Sequence, residues 1–574
     1  MKASDYIAAT LHNYGVQRVF EVSGGMITHL LDSINRQDKV RLVSVHHEQA
    51  AAFAADAAGR MTGVPGVAIA TSGPGATNLL TGMGSSYFDS SPTVFLTGQV
   101  NREEQKGDRK IRQLGFQETD IVSMAAPITK AAWRVRSGEE LPLLLDRAFA
   151  LATEGRPGPV LLDIPMDVQR LDIAKDPALP HDPPRSAGVS PDKAAVCDAL
   201  DLFLTSSRPL VLIGGGIQSA RAATQLRRLV RLLGIPVVNS LMAVDVLPFD
   251  DELRIGMIGT YGNRWANTAL ASSDCLLVLG SRLDVRQTGA DTGAFAAGRS
   301  ILHVDCEPGE VNNRVTGCTA VFATLPEFLE AAIEVASLRH VPERDAWRAQ
   351  IEEWKAQWPD TDELAGVAGI NPNIFMHRLS AQSQRAGTYV VDVGQHQMWA
   401  AQSIDVCQDQ RFLTSGGMGS MGFALPAAIG AAVSTDRPVV LVAGDGGFQC
   451  NIQELQTVVR NCLPVKMVVI NNLCHGMVRQ FQESYFDARY QSTLWGYSAP
   501  DFERVACGYG ITARTTERPD DIDEAVNWLW QDPDRPALLQ VMVDTYANAY
   551  PKIAFGRPIS QMEPFAKPIE MEST

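Results

Sequence analysis

One stretch restricts this chain more than any other: residues 439–476, VVLVAGDGGFQCNIQELQTVVRNCLPVKMVVINNLCHG. Residues 439–443 form an apolar, β-branched run that ends in Gly444-Asp445-Gly446-Gly447. Ile452, Leu455, Val458 and Val459 then recur at helical spacing, and a second β-branched run, 465–470, ends in Asn471-Asn472. Strand, helix, strand over this length is a crossover unit that sets two parallel strands side by side. Their carboxyl ends share one edge, where open α/β sheets hold ligands. The Asp445 carboxylate and the Asn472 amide oxygen at neighbouring strand ends suit a hard cation such as Mg2+, with positions left for phosphate oxygens. Gly446 and Gly447 let the backbone approach a diphosphate closely. Either turn alone would indicate only a doubly wound sheet; their order and spacing carry the reading.

The same rhythm runs through the rest of the chain. Residues 1–170 alternate strand and helix patterns. A strand at 40–45 leads into His46-His47-Glu48-Gln49 and an alanine-rich helix to Arg60. A strand at 67–70 leads into TSGPGATN, residues 71–78, a tight turn at a helix start that suits a polar ligand. Residues 171–192 are rich in proline and charge and read as a linker. A second block, 193–340, has a strand running into Gly214-Gly215-Gly216 and further strands at 275–279 and 301–304. Residues 341–370 form a helical connector. A third block, 371–550, has a strand leading to Gly394-Gln395-His396 and a glycine-rich segment, 414–422, that opens a helix. Residues 551–574 read as a surface or lid segment. The expected fold is α/β, with three doubly wound parallel-sheet domains. The first and third are similar in size and rhythm, which suits a cofactor bound across an interface.

A chain of 574 residues exceeds one core, so two to four domains are expected. The 50 basic residues are outnumbered by 65 acidic ones, and no basic tract appears, which argues against nucleic-acid binding. No apolar run reaches membrane-spanning length. The first residues read as an amphipathic helix and not as a signal peptide. Nine cysteines without a CxxC pair read as free thiols in a reducing compartment, so a cytoplasmic location is expected.

HEQAAAFAADAAGR, ATSGPGATNLLTG, FQETDIV, GRPGPVLLDIP, VGQHQMWAAQ, TSGGMGSMGFALPAAIG and GDGGFQCNIQEL together resemble segments of the thiamine-diphosphate (ThDP) dependent enzymes. Within them, the chain is similar to the acetohydroxyacid (acetolactate) synthase catalytic subunits over nearly its whole length. The resemblance implies domains for the pyrimidine (1–170), a central FAD-like domain (193–340) and a diphosphate and Mg2+ domain (371–550).

It makes Asp445, Asn472 and the backbone carbonyl of Cys474 the Mg2+ ligands. Gly394, Gln395, His396, Gly446 and Gly447 fall on diphosphate-side contacts, and Gly419 and Met421 on backbone partners of the aminopyrimidine. Pro74, Asn78, Gly476, Met477 and Val478 fall on further cofactor contacts. Glu48 is similar to the carboxylate that hydrogen-bonds the pyrimidine ring nitrogen, supplied by one subunit to the Mg2+ site of another, so at least a homodimer is implied. Gly25 and Met26 resemble a loop near the reacting carbons; His47 caps or packs. Phe116 and Gln117 resemble residues donated across the interface, with core packing as the other reading of Phe116.

Arg156, Gly215, Gly216, Ser240, Leu241, Met242, Gly280, Arg282, Asp284, Asp305 and Cys306 fall on FAD contacts, FAD being a non-redox, structural group in these synthases. A vestigial, empty domain is the alternative. Arg286 falls on the arginine that grips the acceptor carboxylate, unless it is a surface or flavin contact. Met477 and Phe481 fall beside the substrates. The pattern is broken by Phe481 in place of tryptophan, Val285 in place of aspartate, Ile258 in place of histidine and Ser23 in place of proline.

The implied activity is decarboxylation of pyruvate and transfer of the two-carbon unit to a second carbonyl, most directly a 2-keto acid. A nucleotide-linked deoxy-ketosugar acceptor and a simple 2-keto acid decarboxylase remain as alternatives. A regulatory subunit is left open. The segment from Cys474 to about Trp495 is expected to order over the site only when the cofactor binds.

Overall fold

A computed structural model describes residues 1–174 and 189–569. Three βα stretches each close on a six-stranded, all-parallel sheet. The first contains Arg18–Glu21, Arg41–Ser44, Gly66–Ala70, Thr93–Gln99, Ala131–Arg134 and Pro159–Pro165. The third contains Thr388–Val391, Arg411–Thr414, Val439–Gly444, Val465–Asn471, Thr512–Thr516 and Ala537–Met542. Numbered along the chain, the strands of both sheets lie in the order 2-1-3-4-6-5. The middle sheet is built from Pro209–Ile213, Val237–Asn239, Arg254–Met257, Cys275–Leu279, Ser300–Asp305 and Thr319–Phe322, in the order 3-2-1-4-5-6 read from its other edge. That is the doubly wound order of dinucleotide-binding sheets. Helices cover both faces, so central strands such as Val439–Gly444 and Val465–Asn471 are buried throughout and read as unbroken apolar runs.

The alanine-rich helix is Glu48–Thr62, and every residue from Ala50 to Gly59 is buried. Its composition follows from how closely other backbones approach it. A Cβ on Gly430, in the packed helix Ala424–Ala432, would stand 2.1 Å from the Ala54 carbonyl oxygen. Only small side chains allow helices to meet at this distance, and the contact joins the first sheet's helical layer to the third's.

Two expectations need adjustment. The single helix expected after Gly447 is interrupted at Asn451: Asp445–Cys450 is followed by a 3-10 turn, Ile452–Glu454, and then Leu455–Arg460. Asn451 leaves helical geometry and donates its amide to the Gly422 carbonyl at 2.8 Å, so a tertiary bond replaces helix continuity. The tail, expected at the surface or as a lid, is anchored. Lys552–Ile553 and Met562–Glu563 form a two-stranded ribbon, and Ile553, Ala554, Ile559 and Met562 are buried. The Ile553 N–H donates to the Thr260 carbonyl at 2.8 Å, and Arg264 joins Glu363 at 2.5 Å to the Glu563 carbonyl at 3.1 Å. Residues 175–188 of the expected linker and 570–574 of the tail lie outside the described residues.

In the third unit His377 bridges two carboxylates, Asp360 at 2.9 Å and Asp405 at 3.1 Å. Burial by itself would lower the imidazolium pKa, but the two carboxylates outweigh it and push it up to about 10. A pKa raised on folding stabilises the fold fully below the unfolded value, about 6.5, and the contribution is lost as pH rises through about 10. His377→Gln is expected to cost about 1–2 kcal/mol at pH 6, a value reduced for solvent screening of the partly exposed ring. The difference from wild type should shrink towards pH 10 in urea melts. A pH-independent difference would refute the bridge as its source.

Candidate active site

The strands Thr388–Val391, Val439–Gly444 and Val465–Asn471 are neighbours in the third sheet, and Gly444 pairs with Ile470. Their carboxyl ends therefore bring Gly394–His396, Asp445 and Asn472 to one edge. Asp445 is 3% exposed, and its Oδ2 has no hydrogen-bond partner. Its carboxyl faces the backbone of Gly446 and Cys474 and the side chain of Tyr497, and burial pushes its pKa up to about 6. Asn472 donates its Nδ2 to Gln395 Oε1 at 3.1 Å, which leaves its carbonyl oxygen for another partner. Cys474 is buried, and burial pushes its thiol up to about 11, so the thiol is neutral at physiological pH.

An orphaned buried carboxylate oxygen beside an amide oxygen is costly unless something cationic completes it. This donor set of oxygens fits Mg2+. His396 accepts the Gly444 N–H at Nε2, 3.2 Å, and burial lowers its pKa to about 3, so it adds no charge to the edge. A Cβ on Gly476 would overlap Gln395 Oε1 at 1.8 Å, so glycine is required where the helix Gly476–Tyr485 starts against this edge.

Sequence reasoning missed the residues that brace this edge. Asp392, 1% exposed, accepts the N–H groups of Val393, Gly422 and Ala424 at 2.7, 3.0 and 2.9 Å. It follows a β-branched strand just as Asp445 does, and that parallel was the available signal. Gln480 accepts the Gln395 amide at 3.1 Å and exchanges bonds of 2.9 and 3.0 Å with the Ala549 backbone. Arg479 is fully buried against Glu483 at 2.9 Å and the Ala547 carbonyl at 3.3 Å. These side chains hold the segment after Cys474, which contains an ordered helix. On that helix Met477 is half-buried, and Val478 and Phe481 are exposed. The Phe481 ring lies 4.8 Å from that of Tyr485 and 5.8 Å from that of Phe486.

A second cluster sits at the carboxyl edge of the first sheet. Glu48, 8% exposed, starts its helix, and Oε2 accepts the Asn78 amide at 2.9 Å. His47 accepts the Gln49 N–H at 3.1 Å and caps the same helix. Pro74 opens the short helix Pro74–Asn78, and Gln117, with φ 65°, leans on Gly73 at its start. Met26 donates its N–H to Thr71 Oγ1 at 3.3 Å, which places the turn Gly25–Ile27 beside them. Phe116 is 78% exposed, which rules out core packing within this chain. Glu48 has no other hydrogen-bond partner among the described residues. Gly419, with φ +66°, and Met421, 39% exposed, lie on the loop before the helix Ala424–Ala432.

A cavity of ≈ 900 Å³ lies between the middle sheet and its neighbours. All eleven residues assigned above to FAD contacts line it, as do Ile258, Tyr261 and Arg286. Arg156 is held in the wall by Glu310 at 2.6 Å, Glu307 at 3.2 Å and Ser90 at 2.7 Å. Arg286 is exposed and its guanidinium makes no ion pair or hydrogen bond among the described residues. Tyr261 lies among Arg286, Glu563, Tyr485 and Tyr550, so the tail and the Phe481 helix converge on the same corner. Val285, beside Arg286, is 52% exposed.

The family models agree with this geometry. Residues 1–124 match the N-terminal TPP binding domain of thiamine pyrophosphate enzymes, 196–332 the central domain and 392–541 the C-terminal TPP binding domain. The acetolactate synthase large subunit of Parasynechococcus marenigrum is 38% identical over 566 residues, covering 96% of this chain and 89% of that one. That of Corynebacterium glutamicum is 36% identical over 573 residues, covering 98% and 90%. Acetolactate synthase 2, chloroplastic, of Nicotiana tabacum is 37% identical over 572 residues, covering 97% and 84%. With its paired 2-1-3-4-6-5 sheets, its orphaned Asp445 carboxylate and similarity along its full length, this chain belongs to the thiamine pyrophosphate enzymes and is an acetolactate synthase-type member of them.

Proposed function

We propose that the protein decarboxylates pyruvate and transfers the two-carbon unit to a second carbonyl, a 2-keto acid by preference. The observation that supports this most directly is the pairing of an orphaned, buried Asp445 oxygen with the glycine-lined edge beside it. Asp445, Asn472 and the Cys474 carbonyl hold Mg2+, and Gly394–His396, Gly446, Gly447 and Gly476–Val478 seat the diphosphate side of the cofactor. When bound, thiamine diphosphate supplies the electron sink for loss of carbon dioxide from a 2-keto acid. Gly419 and Met421 offer backbone groups to its pyrimidine.

Glu48 holds a proton at the pyrimidine nitrogen, and Asn78 orients Glu48 through the 2.9 Å bond. As the resemblance to the synthases implies, Glu48 serves the Mg2+ site of a second copy, so the working unit is at least a homodimer. The first unit (1–170) thus takes the pyrimidine and the third (371–550) the diphosphate. The ≈ 900 Å³ cavity holds FAD as a structural group. No helix among the described residues is long and apolar enough to cross a membrane.

Arg286 has an unpaired guanidinium at the cavity wall and binds the acceptor carboxylate. One set of observations favours a second acceptor class. Ile258, Val285 and Phe481 all depart from the family pattern, and the corner around Tyr261 links the Arg286 wall to the Phe481 helix. Phe481 in place of tryptophan removes bulk and Ile258 in place of histidine removes polarity, changes that a nucleotide-linked deoxy-ketosugar would use.

Product analysis separates the two: labelled pyruvate is incubated with ThDP, Mg2+ and FAD, alone and with each acceptor. Fast acetolactate formation from pyruvate alone supports the first reading, and slow formation with fast ketosugar consumption supports the second. Unconsumed pyruvate in every mixture would reject the donor. Phe481→Trp is expected to change the ratio of kcat/KM values for the two acceptors by about 10-fold or more, the scale on which pocket shape discriminates. Pyruvate decarboxylation should stay within about 3-fold on the same scale, and an unchanged acceptor ratio would remove Phe481 from acceptor selection.

A further inference from the structure

The loop between the strand Arg411–Thr414 and the helix Ala424–Ala432 is held at its two ends by carboxylates from different sheets. Asp392, from its own sheet, fixes the far end through the Gly422 and Ala424 N–H groups. Asp89 fixes the near end from the first sheet's side, directly after the helix Leu80–Phe88. Its Oδ1 accepts the Gly417 N–H at 2.6 Å, and Oδ1 and Oδ2 share the Gly416 N–H at 3.2 and 3.1 Å. No other group among the described residues accepts these two N–H groups. Arg60 adds a second tie from the same side, donating to the Thr414 carbonyl at 2.9 Å.

The near end also walls the large cavity. Asp89, Gly416, Gly417 and Met242 all line it, and a Cβ on Gly416 would stand 2.4 Å from Met242 Sδ. Two residues beyond Gly417, the same loop reaches Gly419 and then Met421. One short segment therefore faces the cavity at one end and the pyrimidine seat at the other.

We propose that Asp89 is a positioning residue that couples the two cofactor sites: a ligand filling the cavity orders the Gly416–Gly417 turn through Asp89, and the turn sets the Gly419–Met421 seat. The proposal rests on the reading of these sites given above. The physical basis is competition with water. In a water-filled cavity the Asp89 oxygens and the two N–H groups have solvent partners. A large ligand excludes that water, and in the lower local dielectric the three bonds strengthen. Coupling of this kind is reciprocal, so each ligand must tighten the other by the same factor.

The test uses the full-length protein. ThDP with Mg2+ is titrated by tryptophan fluorescence with and without saturating FAD, and FAD is titrated by flavin fluorescence with and without ThDP and Mg2+. In wild type each ligand is expected to tighten the other by about 5-fold or more, within the usual range of couplings. Asp89→Ala should weaken ThDP binding by about 10-fold or more, as expected for loss of charge-assisted bonds, and bring the coupling factor to about one. Asp89→Asn keeps a carbonyl oxygen for Gly417 and should restore ThDP affinity to within about 3-fold of wild type.

A purely structural role would lower thermal stability and leave the coupling factor intact, so wild-type coupling in Asp89→Ala overturns the proposal. Should that variant not fold, amide exchange at Gly416 and Gly417 in wild type decides: FAD alone should slow it, and unchanged exchange overturns the proposal. Failure of FAD or ThDP to bind wild type sinks the reading of the sites and the coupling with it. Binding of both without coupling sinks the coupling alone.

Discussion

Glu48→Gln is expected to lower kcat for any 2-keto acid by about 10²–10³-fold, the range for loss of a positioned acid–base group. The change is isosteric. Glutamine keeps a carbonyl oxygen for the 2.9 Å bond from Asn78, so the start of the helix Glu48–Thr62 should be undisturbed and the melting temperature nearly unchanged. What glutamine cannot do is hold and return a proton at the pyrimidine nitrogen. The loss should therefore appear in kcat, with ThDP affinity much less affected. Stopped-flow decarboxylation in a single turnover, with enzyme in excess over pyruvate, makes the cleanest measurement, because little second pyruvate remains to act as acceptor. Wild-type turnover in Glu48→Gln would remove the assigned role of this residue whatever the acceptor proves to be.

The metal-free protein should become more stable, not less, when Asp445 is replaced by asparagine. The buried carboxyl has a pKa of about 6 against an ordinary value of 3.8. A carboxyl whose pKa rises on folding binds protons more tightly in the folded state. It favours the fold below about pH 4 and costs stability as pH climbs through about 6. A shift of this size corresponds to about 3 kcal/mol, so Asp445→Asn should gain about 1–3 kcal/mol over wild type at pH 7.5 in chelator. The gain should vanish near pH 4.

Mg2+ and ThDP should reverse the ranking. At a hundredfold excess over Kd a ligand adds about 2.7 kcal/mol to the wild type, and Asp445→Asn should show almost none of it. Thermal melts at two pH values, with and without Mg2+ and ThDP, give all four numbers. A metal-free variant less stable than wild type at pH 7.5, or one with a full ligand-induced shift, would mean that Asp445 is not the ligand of a divalent cation.

Much of this protein was legible in its sequence because its central strands are buried on both faces. The strands at 439–444 and 465–471 sit between helical layers, so they must be apolar along their whole length and announce themselves as runs. The residues that end them, Asp445 and Asn472, follow from strand pairing alone. The alanine richness of 50–58 likewise signalled a helix, and the structure shows it buried along Ala50–Gly59.

Most edge strands were not legible, although Arg41–Ser44, read at 40–45, is one. Ala131–Arg134, Arg254–Met257, Thr319–Phe322, Arg411–Thr414 and Thr512–Thr516 all lie at sheet edges. With one neighbour and partial exposure they need little apolar sequence, and TARTT carries no strand signal. The break at Asn451, the anchoring of the tail by Arg264 and Glu363, and the roles of Asp392 and Asp89 were also beyond the sequence. Each depends on a hydrogen bond between groups far apart in the chain, from 29 residues for Asn451 and Gly422 to 328 for Asp89 and Gly417. Local sequence determined the fold class and the strand edge that carries Asp445 and Asn472, because burial and strand pairing leave a periodic record. Only tertiary structure could decide what holds that edge in place, because a carboxylate accepting a distant backbone N–H leaves no periodicity to read.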